Sequence, residues 1–464
     1  MAKQRRGYRI DMVNGPLAGK ILFFALPLMA SSLLQLLFNA ADIVVVGRFV
    51  GKEALAAVGS NGSLVNLLVN LFMGFSVGAN VVVAQDLGGG REEDVRKSVH
   101  TAITLSLLSG LALTLIGATL ARQLLELISS PEDVIDLATV YLRIYFFGMP
   151  ANMLYNFGAA ILRSQGDTQR PLYYLTIAGV VNVLLNLFFV VVLQISVAGV
   201  ALATIISQYI SALLVPQCLI RDKGALRLDL KKLGLDKRVI IRICQVGLPA
   251  GFQGIVFSLS NVVIQGSINS FNSTAIVAGS SAASNIEGFV YVCPSSFYQA
   301  ALTFTSQNYG AGKCGRVDRI LLLTQIYGMT SAAVLGLLAY GFGAPLASIY
   351  APGEPEVIEW AVVRMGYICR FYFICGAMDT MVGILRGLGY SVVPMVVSML
   401  GACGTRLLWI ATVFQMPQFH TPQVLFLSYP ISWLITAATH FTVFLVVRKR
   451  AYARAAERLE AQAG

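Results

Sequence analysis

Long apolar stretches recur along this sequence. Each is near the length that crosses a bilayer, and each is parted from the next by a short polar break. At 1.5 Å of rise per residue, a helix needs about 20 apolar residues to span the hydrocarbon core. Windows of that kind lie at 21–45, 54–85, 98–120, 134–160, 171–192 and 195–219, then at 240–269, 274–306, 320–345, 357–383, 392–414 and 424–447. The breaks carry turn formers and charges: GRFVGK, GGGREED, SSPED, RSQGDTQRP, GAGKCGR, APGEPE and RGLGYS. Strand-period alternation is missing, which excludes a β-barrel. The predicted fold is an all-α integral membrane protein with twelve transmembrane helices. Composition agrees, at 56% hydrophobic and 12% charged, where soluble domains carry about 25% charged residues.

The second half of the chain repeats the first. Leu26 and Pro27 recur as Leu248 and Pro249, Asn39 as Asn261, Gln85 as Gln307, Gly88 as Gly310 and Gly90 as Gly312. Matches of Leu or Val count for little in apolar sequence, but Pro, Asn, Gln and the AQDLGGG/SQNYGAG pair carry weight. A later echo, ILRSQGDTQRP at 161–171 against ILRGLGYSVVP at 384–394, keeps nearly the same separation. Such spacing indicates a duplicated half. Each half has an even number of spans, so both begin on the same side, as parallel repeats. Two pseudo-symmetric six-helix bundles are expected: residues 1–222 as one lobe, 223–238 as a linker, 239–450 as the second lobe and 451–464 as a tail. The linker sets Leu226, Leu228, Leu230 and Leu233 among Lys and Arg, which reads as a charged tether on the membrane surface.

Charge sets the orientation. Of the 34 Lys and Arg, only Arg48, Lys52 and Arg122 fall in loops on one side. Arg143, Arg364, Arg370 and Arg406 fall within spans, and all the others fall on the side of the two termini. Loops rich in Lys and Arg stay in the cytoplasm. The expectation is therefore a multi-pass protein of the inner (plasma) membrane with both termini cytoplasmic. The net charge of +11 then marks topology, and nucleic acid is not an expected partner. The seven cysteines lack metal-ligand spacing and read as packing residues. No P-loop, HExxH or GxSxG occurs, which argues against ATP-driven pumping and against an intramembrane enzyme.

Ionisable residues within spans are costly and mark function by default. Asp42 falls late in the first span, about 30 Å from its cytoplasmic start. Asn182 and Asn186, four apart, share one face of the fifth span, and Thr204 lies on the sixth. If these three spans pack together, the four residues converge in one lobe. A carboxylate with amide and hydroxyl oxygens suits a proton or a hard cation, although buried Asn also serves simply to join helices. Gln35 and Asn39 on the first span, Glu287 in SSAASNIEGF and Asp379 on the tenth are candidates for lining a substrate cavity. Glu287 is expected to attract cationic substrates. Pro27 and Pro249 open matching helices.

FALPLMASSLLQLLFNAADIVVVGRFVG, ALAAVGSNG and VAQDLGGGREEDVRK, with SQNYGAGKCGRV and the two ILR…P loops, resemble the multidrug and toxic compound extrusion (MATE) transporters over about 12–447. The resemblance implies two six-helix bundles that open alternately to either side. It also implies export of amphipathic, often cationic, small molecules, driven by inward proton or sodium flow without a cofactor. Asp42, Asn182 and Thr204 match residues of that family's cation site, so sodium at these three is implied as one possibility. Asn186 stands where the family often has Asp. This leaves a single carboxylate in the lobe and favours a proton. Phe257 stands near where several relatives carry Glu. A flippase for lipid-linked precursors is the alternative, although those relatives usually carry further helices. Small-molecule substrates and the bilayer are the expected partners, and a monomer is expected.

Overall fold

The structure, a computed structural model, describes residues 8–50, 52–127 and 135–463. The SSPED break lies outside the described residues. Among them the chain is helical and without strands. In a bilayer only such an element satisfies every backbone N–H and C=O within its own segment. The first half comprises α1 (Leu17–Phe49), α2 (Lys52–Gly88), α3 (Glu92–Leu127), α4 (Ile135–Phe147), α5 (Met149–Ser164), α6 (Gln169–Leu187) and α7 (Ser196–Ile220). The second half comprises α8 (Lys237–Asn269), α9 (Thr274–Gly310), α10 (Cys314–Gly341), the short α11 (Gly343–Tyr350), α12 (Pro355–Ile368), α13 (Tyr372–Gly387), α14 (Val392–Ser398), α15 (Thr405–Ala411) and α16 (Pro422–Ala463).

These elements form twelve spans, because three pairs are broken helices. Gly148 parts α4 from α5, with Pro150 in the first turn of α5, where its missing N–H costs nothing. A 3-10 turn at Cys369–Phe371 joins α12 to α13. A π-helical turn at Met399–Gly404 joins α14 to α15, and α6 runs into another at Phe188–Val192. Ten of the twelve are apolar and long enough to cross a membrane on those grounds alone. The two that fall short are α4/α5, which is broken, and the more polar α9. Many large apolar side chains stay exposed along the spans, among them Phe23, Leu184, Leu213 and Leu400. Lipid, not water, is the solvent that tolerates them.

The repeated motifs are helix stops. Gly90 and Gly312 have φ of 66° and 68°, and Gly166 and Gly389 have φ of 88° and 91°. At each, the glycine N–H and the N–H after it reach back to carbonyls of the last turn, as in Gly90 N to Leu87 O (3.1 Å) and Arg91 N to Asp86 O (3.2 Å). Only glycine enters that left-handed conformation without a Cβ penalty.

Two compact units result. One holds the described residues of Met1–Asp11 together with Ala30–Gly254, the other Met12–Met29 together with Ile255–Gly464. The unit boundaries therefore fall inside α1 and α8, just past Pro27 and Pro249. Those prolines lie within their helices and do not open them. In the first unit, Gly74 and Gly78 of α2 lie so close to Gly247 and Gly251 of α8 that added Cβ atoms would meet backbone. The stretch 223–238 is not a loose tether. Leu226 and Leu228 are buried in the first unit's core with Phe146, Phe157 and Val215. Asp229 N donates to His100 Nε2 (3.0 Å) and Asp236 N to Thr101 Oγ1 (3.1 Å). Leu226 and Leu228 turn inward between charged neighbours, which disguise them in sequence, whereas Leu230 is exposed. The tail from residue 451 is likewise a continuation of α16, with Ala451 and Ala455 buried.

Candidate functional site

Within the first unit, three helices bring polar side chains to one place. Asn182 and Asn186 lie one turn apart on α6 and are buried. Asp42 of α1 is half-buried beside them. Asn186 Nδ2 donates to Asp42 Oδ1 and also to Asn182 Oδ1 (3.3 Å). Asn182 Nδ2 in turn reaches Thr204 Oγ1 on α7 at 3.4 Å, and that hydroxyl donates to Val200 O (3.0 Å). The chain of bonds runs Asp42–Asn186–Asn182–Thr204. No cation lies within ion-pair distance of Asp42 among the described residues, so the amide of Asn186 is its neutral neighbour. The other end of that amide, Oδ1, is buried with no partner among the described residues.

The next turn of each helix is apolar. Val45 and Val46 of α1, Val190 beyond α6, and Val200 and Ala201 of α7 form a buried cluster with Tyr141. This layer seals one side of the polar cluster and keeps its charge out of bulk water, which strengthens electrostatic interactions within it. The π-turn Phe188–Val192 begins two residues after Asn186. Such turns often accompany functional sites, and nothing in the apolar run FFVVV discloses it. Gln35 and Asn39 precede Asp42 on the same face of α1 and are exposed. They do not enter the bonded chain.

The second unit is built differently. Glu287 of α9 is buried, and Arg364 of α12 grips it through two bonds, Nε to Oε1 at 2.9 Å and Nη2 to Oε2 at 3.0 Å. The Arg364 guanidinium also lies over the rings of Phe426 (5.6 Å) and Tyr429 (5.7 Å). From the sequence Glu287 is expected to attract cationic substrates; in this structure its charge is matched by a fork-on-fork partner. Arg406 is buried too, 4.2 Å over Tyr429, with Nε on Ser432 Oγ (2.9 Å). Asp379 of α13 is half-buried and faces Tyr291 of α9. Phe257 packs against the core around Glu287.

Sequence reasoning passed over one polar centre. Asp86, fully buried at the end of α2, accepts from Arg91 Nη2 (2.8 Å), Ser98 Oγ (2.8 Å), and both Nη1 (3.0 Å) and Nη2 (2.9 Å) of Arg242. Its counterpart in the second unit is Asn308. That side chain accepts from Arg316 Nε (2.9 Å) and donates to Met12 O (3.1 Å). The signal was present in QDLGGG and QNYGAG, where the Asp/Asn position is part of the repeat. In the first unit this position ties the loop after α2 to Arg242, near the start of α8; in the second it ties the loop after α9 to Met12, in the segment that leads into α1.

A sequence model of the MatE family matches residues 27–188 and 249–410, once in each half. The chain belongs to the MATE family. Among curated relatives, the probable multidrug resistance protein YoeA of Bacillus subtilis is 26% identical over 92% of this chain and 93% of its own length. The probable multidrug resistance protein NorM of Thermotoga maritima is 25% identical, over 84% of each. An FAD transporter of Shewanella oneidensis is 24% identical over 76% of this chain and 78% of its own length. Among solved structures, a MOP superfamily transporter from Pyrococcus furiosus superposes with a TM-score of 0.89 at 19% identity, covering 97% of this chain and 99% of that one. A multidrug resistance MATE transporter in an outward-facing conformation gives 0.86 at 19% identity, over 95% and 98%. This is a multi-pass membrane protein of a multidrug efflux family, and its relatives are transporters, not enzymes.

Proposed function

We propose that this MATE chain is a secondary antiporter. It exports amphipathic, often cationic, small molecules from the cytoplasm, driven by inward flow of protons, with Asp42 as the group that takes up and releases the proton. It sits in the plasma membrane with both termini cytoplasmic and acts as a monomer without a cofactor. The observation that carries this reading is the bonded chain from Asp42 through Asn186 and Asn182 to Thr204, closed on one side by an apolar layer and with no Lys or Arg within ion-pair distance of Asp42 among the described residues.

The chemistry follows from the donors present. With Asp42 ionised, Asn186 Nδ2 donates to it. With Asp42 protonated, its O–H becomes a donor, and the Asn186 amide answers by turning its oxygen toward it. The turn gives the otherwise unpartnered Oδ1 of Asn186 a donor in exchange for the Nδ2 bonds to Asp42 and Asn182. Protonation thus exchanges one bonding pattern for another while removing a charge from a desolvated pocket, and this gives a two-state element that an ion gradient biases. Sodium is the weaker reading. A hard cation wants several oxygens, and here one carboxylate, one hydroxyl and two amides are at hand, with an amide nitrogen aimed at the carboxylate.

The test is efflux of a cationic dye from energised vesicles, driven by a proton gradient without sodium and separately by a sodium gradient. Asp42→Asn mimics the protonated state permanently, so proton-driven efflux should vanish while expression and folding persist. Wild-type efflux by that variant would overturn the assignment.

A further inference from the structure

The first unit holds a second polar site, far along α6 and α7 from Asp42, which the transport reading does not use. A cavity of about 510 Å³ opens where α6 begins and α7 ends. One wall is apolar, formed by Tyr174, Leu214 and Cys218, and the rim is basic, formed by Arg9, Arg170, Arg221 and Lys223. Two of these cations are fixed by carboxylates. Arg9 pairs with buried Asp222, and Arg170 with Asp167 (3.1 Å). Arg170 is held further by Cys218 Sγ (3.0 Å) and lies 5.2 Å over the Tyr8 ring. Arg221 and Lys223 flank Asp222 and have no carboxylate within ion-pair distance among the described residues. Four cations against two carboxylates leave an excess of two positive charges at the mouth.

Below the mouth the walls continue as lipid-facing surface: Tyr173, Ile177 and Leu184 on α6, and Leu213 on α7, are all exposed. A polar rim over apolar helix faces at the end of two spans matches one kind of occupant. We propose that this cavity binds the headgroup of an anionic glycerophospholipid, such as phosphatidylglycerol. Its phosphate lies between Arg221, Lys223 and Arg170, and its acyl chains run down the α6/α7 face. Basic pockets between spans at the membrane surface recognise anionic headgroups in this way. Free phosphate shares the rim chemistry but has no use for the apolar walls.

The experiment uses the full chain, purified from membranes of mixed phosphatidylglycerol and phosphatidylcholine, with retained lipid counted by native mass spectrometry. Wild type should keep one phosphatidylglycerol per chain in excess over phosphatidylcholine. The double variant Arg221→Gln/Lys223→Gln alters only exposed side chains, so its fold should survive, and its retention affinity should fall about thirtyfold for the two lost charges. Millimolar inorganic phosphate should leave the lipid in place. Equal retention by the double variant would overturn the proposal, as would no preference in wild type. Displacement of the lipid by phosphate would assign the rim to a soluble anion instead.

Discussion

Glu287→Gln distinguishes a buried structural charge from a substrate-attracting one. Side-chain exposures are 5% for Arg364 and 9% for Glu287, and the pair is bidentate at 2.9 and 3.0 Å. Removing one member of such a pair strands a buried charge, which typically costs about 3–5 kcal/mol. Arg364 keeps its stacking on Phe426 and Tyr429, worth about 0.5–2 kcal/mol, so the lower end of that range, about 3 kcal/mol, is expected. The double variant Glu287→Gln/Arg364→Met removes both charges at nearly constant volume and should recover most of the loss, since replacing a whole buried pair is often neutral. The assay is equilibrium unfolding of purified protein in mixed micelles for wild type, both single variants and the double. A coupling of about 2 kcal/mol or more is the expected result. Transport by Glu287→Gln should fall for all substrates in proportion to folded protein. Undiminished stability, with loss confined to cationic substrates, would refute this reasoning and restore Glu287 as a substrate ligand.

Other outcomes follow from the same structure. Asp86→Asn leaves Arg91 and Arg242 facing an amide, and thermal unfolding should shift by the equivalent of about 2–4 kcal/mol, whereas Asn308→Ala should cost about 1–3 kcal/mol for its lost buried bonds. Asn186→Asp sets a second carboxylate against Asp42, which favours a shared hard cation; dye efflux by this variant should depend more on sodium than efflux by the wild type. In a background without native cysteines, Gly353→Cys should react with an impermeant thiol reagent from outside the cell and Gly224→Cys should not; the reverse pattern would invert the topology.

Much of the fold is written locally. Span positions follow from apolar length, and the paired glycines 90/312 and 166/389 mark helix stops that any L-residue with a Cβ resists. Asn182 and Asn186 share a face by helical period alone, so their meeting with Asp42 needed only α1, α6 and α7 to be neighbours. Pairings between distant helices are another matter. Arg364 stands 77 residues from Glu287, and no spacing rule connects the two. Arg364 therefore reads as one span arginine among four, and Glu287 as a charge that attracts cationic substrates. The burial of Leu226 and Leu228 was hidden by the charged residues beside them. The π-turns after Asn186 and Ser398 leave no mark in composition, because one extra residue per turn changes backbone bonding without requiring a different side chain.

The most direct measurement of the central claim is proton movement driven by substrate alone. Vesicles carrying the reconstituted protein and an internal pH dye, free of sodium and without an imposed pH gradient, are loaded with substrate and diluted. Wild type should acidify the interior as substrate leaves. Asp42→Asn should exchange labelled substrate without moving protons. Acidification by the Asp42→Asn variant at the wild-type ratio of protons to substrate would contradict the account.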